Sequence, residues 1–327
     1  MVRLTGILGA VALLAACSGA TVGEGPPTSE VVSSAAATPV PAPTPTVAPT
    51  PTRTPTPTRT PAPAPASTST PTLAPWPSAD DPEDLAEQLV AAELALRADG
   101  ADVARLRSAG ERQQAAYRAL TRNPELLDGV LAAAPPELHE TVVANVGAGA
   151  ALAALHGGGE TPAQADLPDW RIVDPLPPEE LLAHYREAEA AFGVPWEYLA
   201  AVHLVETRMS RIQGTSVAGA QGPMQFMPPT WEAYGDGGDV TDDRQAILGA
   251  GRYLAASGAP GDMDAALFAY NRDARYVSAV TAYAERMLAE EAAFGGYYHW
   301  QVYFSAADGV VLLPVGYPRT DPVPASD

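Results

Sequence analysis

The segment PWEYLAAVHLVETRMSRIQGTSVAGAQGPMQFMPPTW, residues 195–231, joins a nearly all-apolar stretch of helical spacing to a loop rich in glycine and methionine. Pro195 suits the first helical position, where its missing N–H costs nothing. Leu199, Ala200, Ala201, Val202, Leu204 and Val205 leave no broad polar face, so the helix is expected to be buried all round. Leu199, Val202 and Glu206 share one face at spacings of three and four. Ser210 and Gly214 mark the exit, which puts Glu206 in the last turn, where the helix dipole disfavours negative charge. Dehydration and dipole both raise a carboxyl pKa. A proton donor held neutral at about pH 6 to 7 is the functional expectation. The competing one is a glutamate that reaches solvent or pairs with Arg208 or Arg211, and the helix alone does not choose between them.

The loop adds weight to the first reading. Gly214, Gly219 and Gly222 permit close backbone approach, while Met224, Phe226 and Met227 are too apolar to face water, so the loop must line something. Pro228 and Pro229 then open a short helix with Trp231 and Tyr234 on its apolar face and Gly235 as its stop. Gln225, framed by Met224 and Phe226, is a buried amide that needs partners. Sugar hydroxyls or an N-acetyl group would satisfy it, and so would the loop's own backbone.

Three blocks in order, Val205-Glu206-Thr207, then GAQGPMQFMPPTW at 219–231, then ALFAYN at 266–271, resemble the bacterial lytic transglycosylases of the lysozyme-like superfamily. The resemblance covers about residues 176–294. It implies a mainly α, lysozyme-like catalytic domain in which Glu206 is the sole catalytic acid and base. It also implies that the stretch from Gly222 to Pro228, with Met224, Gln225 and Phe226, lines the glycan groove, and that Tyr270, followed by Asn271, lies beside the glutamate. The chain departs from the usual pattern at Thr207, Pro223, Arg272 and Asp273.

At the N-terminus, Arg3 and the apolar run from Ile7 to Ala16 have the charge and length of a secretory signal, too short to span a bilayer. The run ends Leu14-Ala15-Ala16-Cys17, which resembles the lipobox of bacterial lipoproteins and implies acylation of Cys17. The alternative is a free thiol behind an ordinary signal peptide. Cys17 is the single cysteine, so no internal disulfide is expected and the fold must rest on packing. From Thr38 to Pro77 the chain is almost wholly Pro, Thr, Ala and Ser. Such a tract buries no core, and as polyproline II at about 3.1 Å per residue it would reach on the order of 100 Å, a stalk between membrane and wall. The net charge of −20 argues against nucleic acid and against electrostatic binding to anionic lipid. A lipid anchor, rather than charge, is the expected tie to the membrane.

The expected organisation is a signal peptide at 1–17, a disordered Pro/Thr-rich linker at 18–79, a small helical bundle at 80–158 and a linker at 159–176. The catalytic domain follows at 177–296, and a β-hairpin with its tail at 297–327. Asp81-Pro82-Glu83 caps the first helix, Asp102 the second, and Asn123-Pro124 and Pro135-Pro136 open the third and fourth. The bundle carries no cluster of chemical groups and reads as a scaffold or a dock for a partner protein, either separate from the catalytic part or packed with it. Tyr276, Val280, Tyr283 and Met287 form the stripe of a long helix from Asp273, tyrosines that read as core. HWQVYF and VVLLPVGY, joined through Asp308-Gly309, read as the hairpin.

No cofactor or metal is expected. His203 and Glu206 share a helical face, but His139, His156, His184 and His299 show no matching spacing. The acidic run 236–243 lacks the ladder and closing glutamate of a calcium loop, and Thr241 or Asp242 is better read as a helix cap. Residues 214–218 lack the preceding buried strand of a nucleophile elbow. The expected function is non-hydrolytic cleavage of the glycosidic bond between N-acetylmuramic acid and N-acetylglucosamine in peptidoglycan, leaving 1,6-anhydro ends. The alternatives are a lysozyme-like hydrolase drawing a second carboxylate from Asp236, Asp239, Asp242 or Asp243, and a non-catalytic wall-binding lipoprotein.

Overall fold

The structure, a computed structural model, describes residues 81–155, 167–306 and 309–324. Cys17, the stalk, His156 and Asp308 lie outside the described residues. Four helices come first, α1 (Pro82–Leu96), α2 (Val103–Arg122), α3 (Leu127–Ala133) and α4 (His139–Leu155). Asp81 accepts from the N–H groups of Glu83 and Asp84, and Asp102 from that of Arg105, so the first two start where their caps predict. The prolines expected to open α3 and α4 instead form single 3-10 turns, Pro124–Leu126 and Pro136–Leu138, ahead of each α-helix. The tighter turn satisfies a few of the N-terminal donors that no side chain caps there.

These helices do not close a core of their own. Leu89, Leu120, Val142 and Val146 belong to one hydrophobic cluster with Leu199, Val202, Ile247, Leu267 and Val280 from the later helices. Along α4, Asn145 Oδ1 accepts from the hydroxyl of Tyr297 at 2.7 Å and Glu140 faces Arg286 at 3.0 Å. By length and composition the stretch Pro136–Leu155 could cross a membrane, yet Val142, Val146 and Leu152 are spent on the shared core. Where α2 meets the C-terminal helix, a Cβ on Gly110 would fall 2.7 Å from His299 Cβ and 2.8 Å from the Gly296 carbonyl, so only glycine permits this approach. Glu93 is buried on α1 and is compensated by Arg97, Gln113 and Tyr117.

The second set is α5 (Pro178–Phe192), α6 (Trp196–Thr207), α7 (Pro228–Tyr234), α8 (Asp243–Ala256), α9 (Met263–Tyr270), α10 (Ala274–Ala289) and α11 (Ala292–Tyr298). Asp242 caps α8 through the N–H of Gln245, and Asp262 and Asp273 cap α9 and α10. Every residue of α6 from Leu199 to Thr207 is buried, as its all-round apolar sequence requires.

Two small sheets are present among the described residues. The C-terminal one contains the expected hairpin, β3 (Val302–Ala306) paired with β4 (Gly309–Leu313), and β5 (Val323–Pro324) adds a third strand to β4. The stretch expected to be a plain linker also carries β1 (Arg171–Ile172), antiparallel to β2 (Ile212–Gln213) just beyond α6. Ile172, Val302, Phe304, Leu313 and Tyr317 form a second, separate apolar cluster beneath them.

Candidate active site

Glu206, the penultimate residue of α6, is 3% exposed. Burial pushes its carboxyl from an ordinary 4.5 up to about 8, against the hydroxyl of Tyr276, which donates to Oε1 at 2.8 Å and favours the charged form. That is above the range the sequence suggests, because the seat is fully enclosed rather than partly so. Neither arginine of the competing reading pairs with it. Arg208 donates to the Leu204 carbonyl at 2.8 Å, and Arg211 donates to the Tyr298 carbonyl at 2.9 Å and faces Asp174 at 3.8 Å.

The helix ends in an unusual way. Arg208, Met209 and Ser210 adopt φ of 55°, 55° and 70°, three successive left-handed residues, none of them glycine. At roughly 1–2 kcal/mol each, such a turn persists only if its surroundings hold it. The Thr207 hydroxyl donates to the Pro223 carbonyl at 2.6 Å and accepts from the Ser210 N–H at 3.1 Å. His203, one turn before Glu206, meets Ser210 Oγ at 2.7 Å through Nε2 and the Tyr185 hydroxyl at 2.8 Å through Nδ1, and Ser210 Oγ donates onward to Asp243. Burial drives the His203 pKa down to about 3, so the ring is neutral and serves as a relay in this frame. Among the described residues, no three His, Cys, Asp or Glu side chains gather as a metal-binding group.

The loop after β2 folds back as a tight turn in which Gln221 and Phe226 exchange backbone hydrogen bonds, each of 2.9 Å. Gly222 sits at φ 73°, and a Cβ there would lie 1.8 Å from the Val240 carbonyl oxygen. Gln225, at φ 49° and 3% exposed, donates from Nε2 to the Gly222 carbonyl at 2.9 Å, while its Oε1 is buried without a partner among the described residues. Both readings of this amide therefore have a foothold, since one end ties the loop and the other is unsatisfied. Met224 and Phe226 are 0% and 2% exposed. They face the core, with Phe226 against Trp231 and Tyr270, and so back the loop instead of lining open space.

Tyr270 stacks on the tyrosine that meets Glu206. Its hydroxyl donates to the Met224 carbonyl at 2.7 Å, bracing the loop, and its ring lies parallel to that of Tyr276 at 6.5 Å. Glu206 takes the hydroxyl of Tyr276, which the sequence assigns to a core stripe. That assignment is true of its ring, 1% exposed, but not of its hydroxyl. Asn271 ends α9, its N–H returning to the Leu267 carbonyl at 3.0 Å and its own carbonyl accepting from Asp273 at 2.7 Å. Beside this group runs a cleft of about 580 Å³, lined by β1, β2, Ser210, the loop through Pro223, and Thr241. Glu206 is not among its lining residues. It stands one step behind the floor, through Thr207 and its bond to Pro223.

Residues 184–291, which contain Glu206, Gln225, Tyr270 and Tyr276, match the family model described as Transglycosylase SLT domain. This segment belongs to that family. A stretch of 76 residues is also 36% identical to the membrane-bound lytic murein transglycosylase F of Thiobacillus denitrificans (strain ATCC 25259 / T1). That alignment covers 23% of this chain, and the chain spans only 16% of the relative's length. No solved structure matches. The SLT domain thus accounts for α6, the loop and the two tyrosines, whereas α1–α4, β1 and the C-terminal sheet lie outside the matched residues.

Proposed function

We propose that this chain is a peptidoglycan lytic transglycosylase with Glu206 as its acid and base. The observation that carries the reading is a carboxyl kept protonated near neutrality by burial, set directly behind a cleft inside an SLT domain. Glu206 gives its proton to the glycosidic oxygen between N-acetylmuramic acid and N-acetylglucosamine. As that bond breaks, positive charge at C1 is met by the sugar's own 2-acetamido carbonyl oxygen. The ionised glutamate, steadied by the Tyr276 hydroxyl, takes the proton of the C6 hydroxyl while that oxygen bonds to C1, closing the 1,6-anhydro ring without water. Gln225 Oε1 is an acceptor suited to a sugar hydroxyl or amide N–H, and Tyr270 braces the loop that offers it, through its bond to the Met224 carbonyl and its ring against Phe226, with Asn271 next to it at the end of α9.

The hydrolytic alternative needs a second carboxylate, and the four aspartates available to it are engaged elsewhere. Asp236 faces Arg252, Asp239 holds Thr241, Asp242 caps α8 and Asp243 takes the Ser210 hydroxyl. Digestion of purified sacculi followed by mass spectrometry tests the proposal: anhydro-ended muropeptides are expected, and reducing ends would reject the lyase. Export and acylation of Cys17, placing the enzyme on a membrane facing the wall, belong to the same proposal, checked by metabolic labelling with a fatty acid in wild type and Cys17→Ala.

A further inference from the structure

We propose that Arg171 binds a carboxylate carried by the glycan's substituents and thereby selects which strands the cleft accepts. This rests on the glycan-cleaving reading above. Among the described residues that line the cleft, Arg171 is the only one with a formal charge, the others being small, apolar or neutral polar side chains such as Ser210, Gln213, Thr215, Gln221 and Thr241. It does not come from the matched SLT segment but from the strand that precedes it.

The placement follows from strand geometry. Neighbouring side chains leave a strand on opposite faces. Ile172 is buried against Phe304, Leu313 and Tyr317, so Arg171 emerges on the other side, at the cleft. The backbone is clamped from both edges. Arg171 pairs with Gln213 across β2, while the N–H of Ile172 donates to the Tyr317 carbonyl at 3.1 Å and the Ile172 carbonyl accepts from Gly316 at 2.9 Å. Trp170, edge-on to Phe304, packs so close to Gly214 that a Cβ there would lie 3.0 Å from its ring.

The guanidinium is aimed but not neutralised. Its Nε donates to Gln213 Oε1 at 3.1 Å, and Nη2 donates to the same oxygen. Nη1 makes no hydrogen bond among the described residues, and Arg171 joins no ion pair there. An amide partner fixes the plane of the fork while leaving its charge for a ligand, and a planar fork matches a carboxylate or a phosphate. The sugar backbone of the proposed substrate is uncharged. Its anions are the lactyl carboxylate of a muramic residue that has lost its peptide, or the carboxylates of a peptide still attached.

The test compares wild type, Arg171→Gln and Arg171→Lys, with thermal midpoints to show that folding is intact. Three substrates are used: peptide-free glycan strands, the same strands with their carboxylates converted to methylamides, and peptide-bearing strands. Arg171→Gln is expected to raise KM roughly tenfold on a carboxylate-bearing substrate with kcat unchanged, and Arg171→Lys to recover part of the loss. The amidated strands should not distinguish the variants. A penalty on peptide-free strands identifies the lactyl carboxylate as the ligand, and one confined to peptide-bearing strands identifies the peptide. Equal KM for wild type and Arg171→Gln on all three, with cleavage intact, overturns this inference alone. Wild type that cleaves none of them overturns the parent reading and this one with it.

Discussion

The Tyr276 hydroxyl and Glu206 Oε1 are 2.8 Å apart across the packed helices α10 and α6, and this contact opposes the burial that otherwise keeps the glutamate neutral. Tyr276→Phe removes the donor and leaves burial unopposed. The Glu206 pKa should then climb above about 8, so the alkaline limb of the kcat/KM–pH profile moves to higher pH. The maximal rate should fall roughly tenfold, because the ionised glutamate that must accept the second proton loses its stabilising bond. An alkaline limb that stays in place would show that the contact does not tune this group.

Glu206 also makes stability depend on pH. Its folded pKa of about 8 lies above the ordinary 4.5, so below 4.5 both states hold the proton and its contribution is fully present. As pH rises from there through 8, the unfolded chain sheds the proton more readily and the contribution is lost. Glu206→Gln carries no such charge. Denaturant unfolding across this window should show a flatter profile for the variant and greater stability than wild type at its alkaline end. Activity should meanwhile drop by about 10² to 10⁴. A wild-type rate from this variant would remove Glu206 from the mechanism.

Thr207 ties α6 to the loop through one hydroxyl that donates to Pro223 and accepts from Ser210. Thr207→Val keeps the shape and strands both partners in a buried setting, at a cost of about 1–3 kcal/mol. Thr207→Ser should restore most of that. The two variants are compared by thermal unfolding, and a loss in Thr207→Ser without one in Thr207→Val would mean that the methyl group, not the hydroxyl, matters here.

Gly222→Ala meets two obstacles at once, a left-handed backbone and a Cβ position 1.8 Å from the Val240 carbonyl oxygen. Backbone cannot move aside as a flexible side chain would, so the loop must re-form. We expect a loss of about 3 kcal/mol or more, read from the denaturant midpoint, with activity abolished even where the protein remains folded. Gly193→Ala is the control. It shares the left-handed φ, at 73°, but has open space around its Cβ position, so its cost should be smaller, reflecting conformation alone.

The local patterns in the sequence carried a good deal of this. Caps at Asp81, Asp102, Asp242, Asp262 and Asp273 start helices because a side-chain oxygen acts on N–H groups two or three residues away. The burial of α6 was legible for the same reason, since its residues are apolar on every side, but whether Glu206 stayed inside with them was not. Contacts between distant segments were not legible. Nothing within α10 distinguishes Tyr276, whose hydroxyl reaches Glu206, from Tyr283 further along the same stripe. The two-residue strand at Arg171 is too short for periodicity to reveal, and its pairing is made by Gln213, Tyr317 and Gly316. The first four helices looked able to form a bundle, yet their apolar faces are completed by α10 and α11. Patterns of three and four residues report what a segment must hide. What it hides against, and which hydroxyl or guanidinium arrives at its far side, depends on packing between segments far apart in the chain, and only the tertiary structure fixes that.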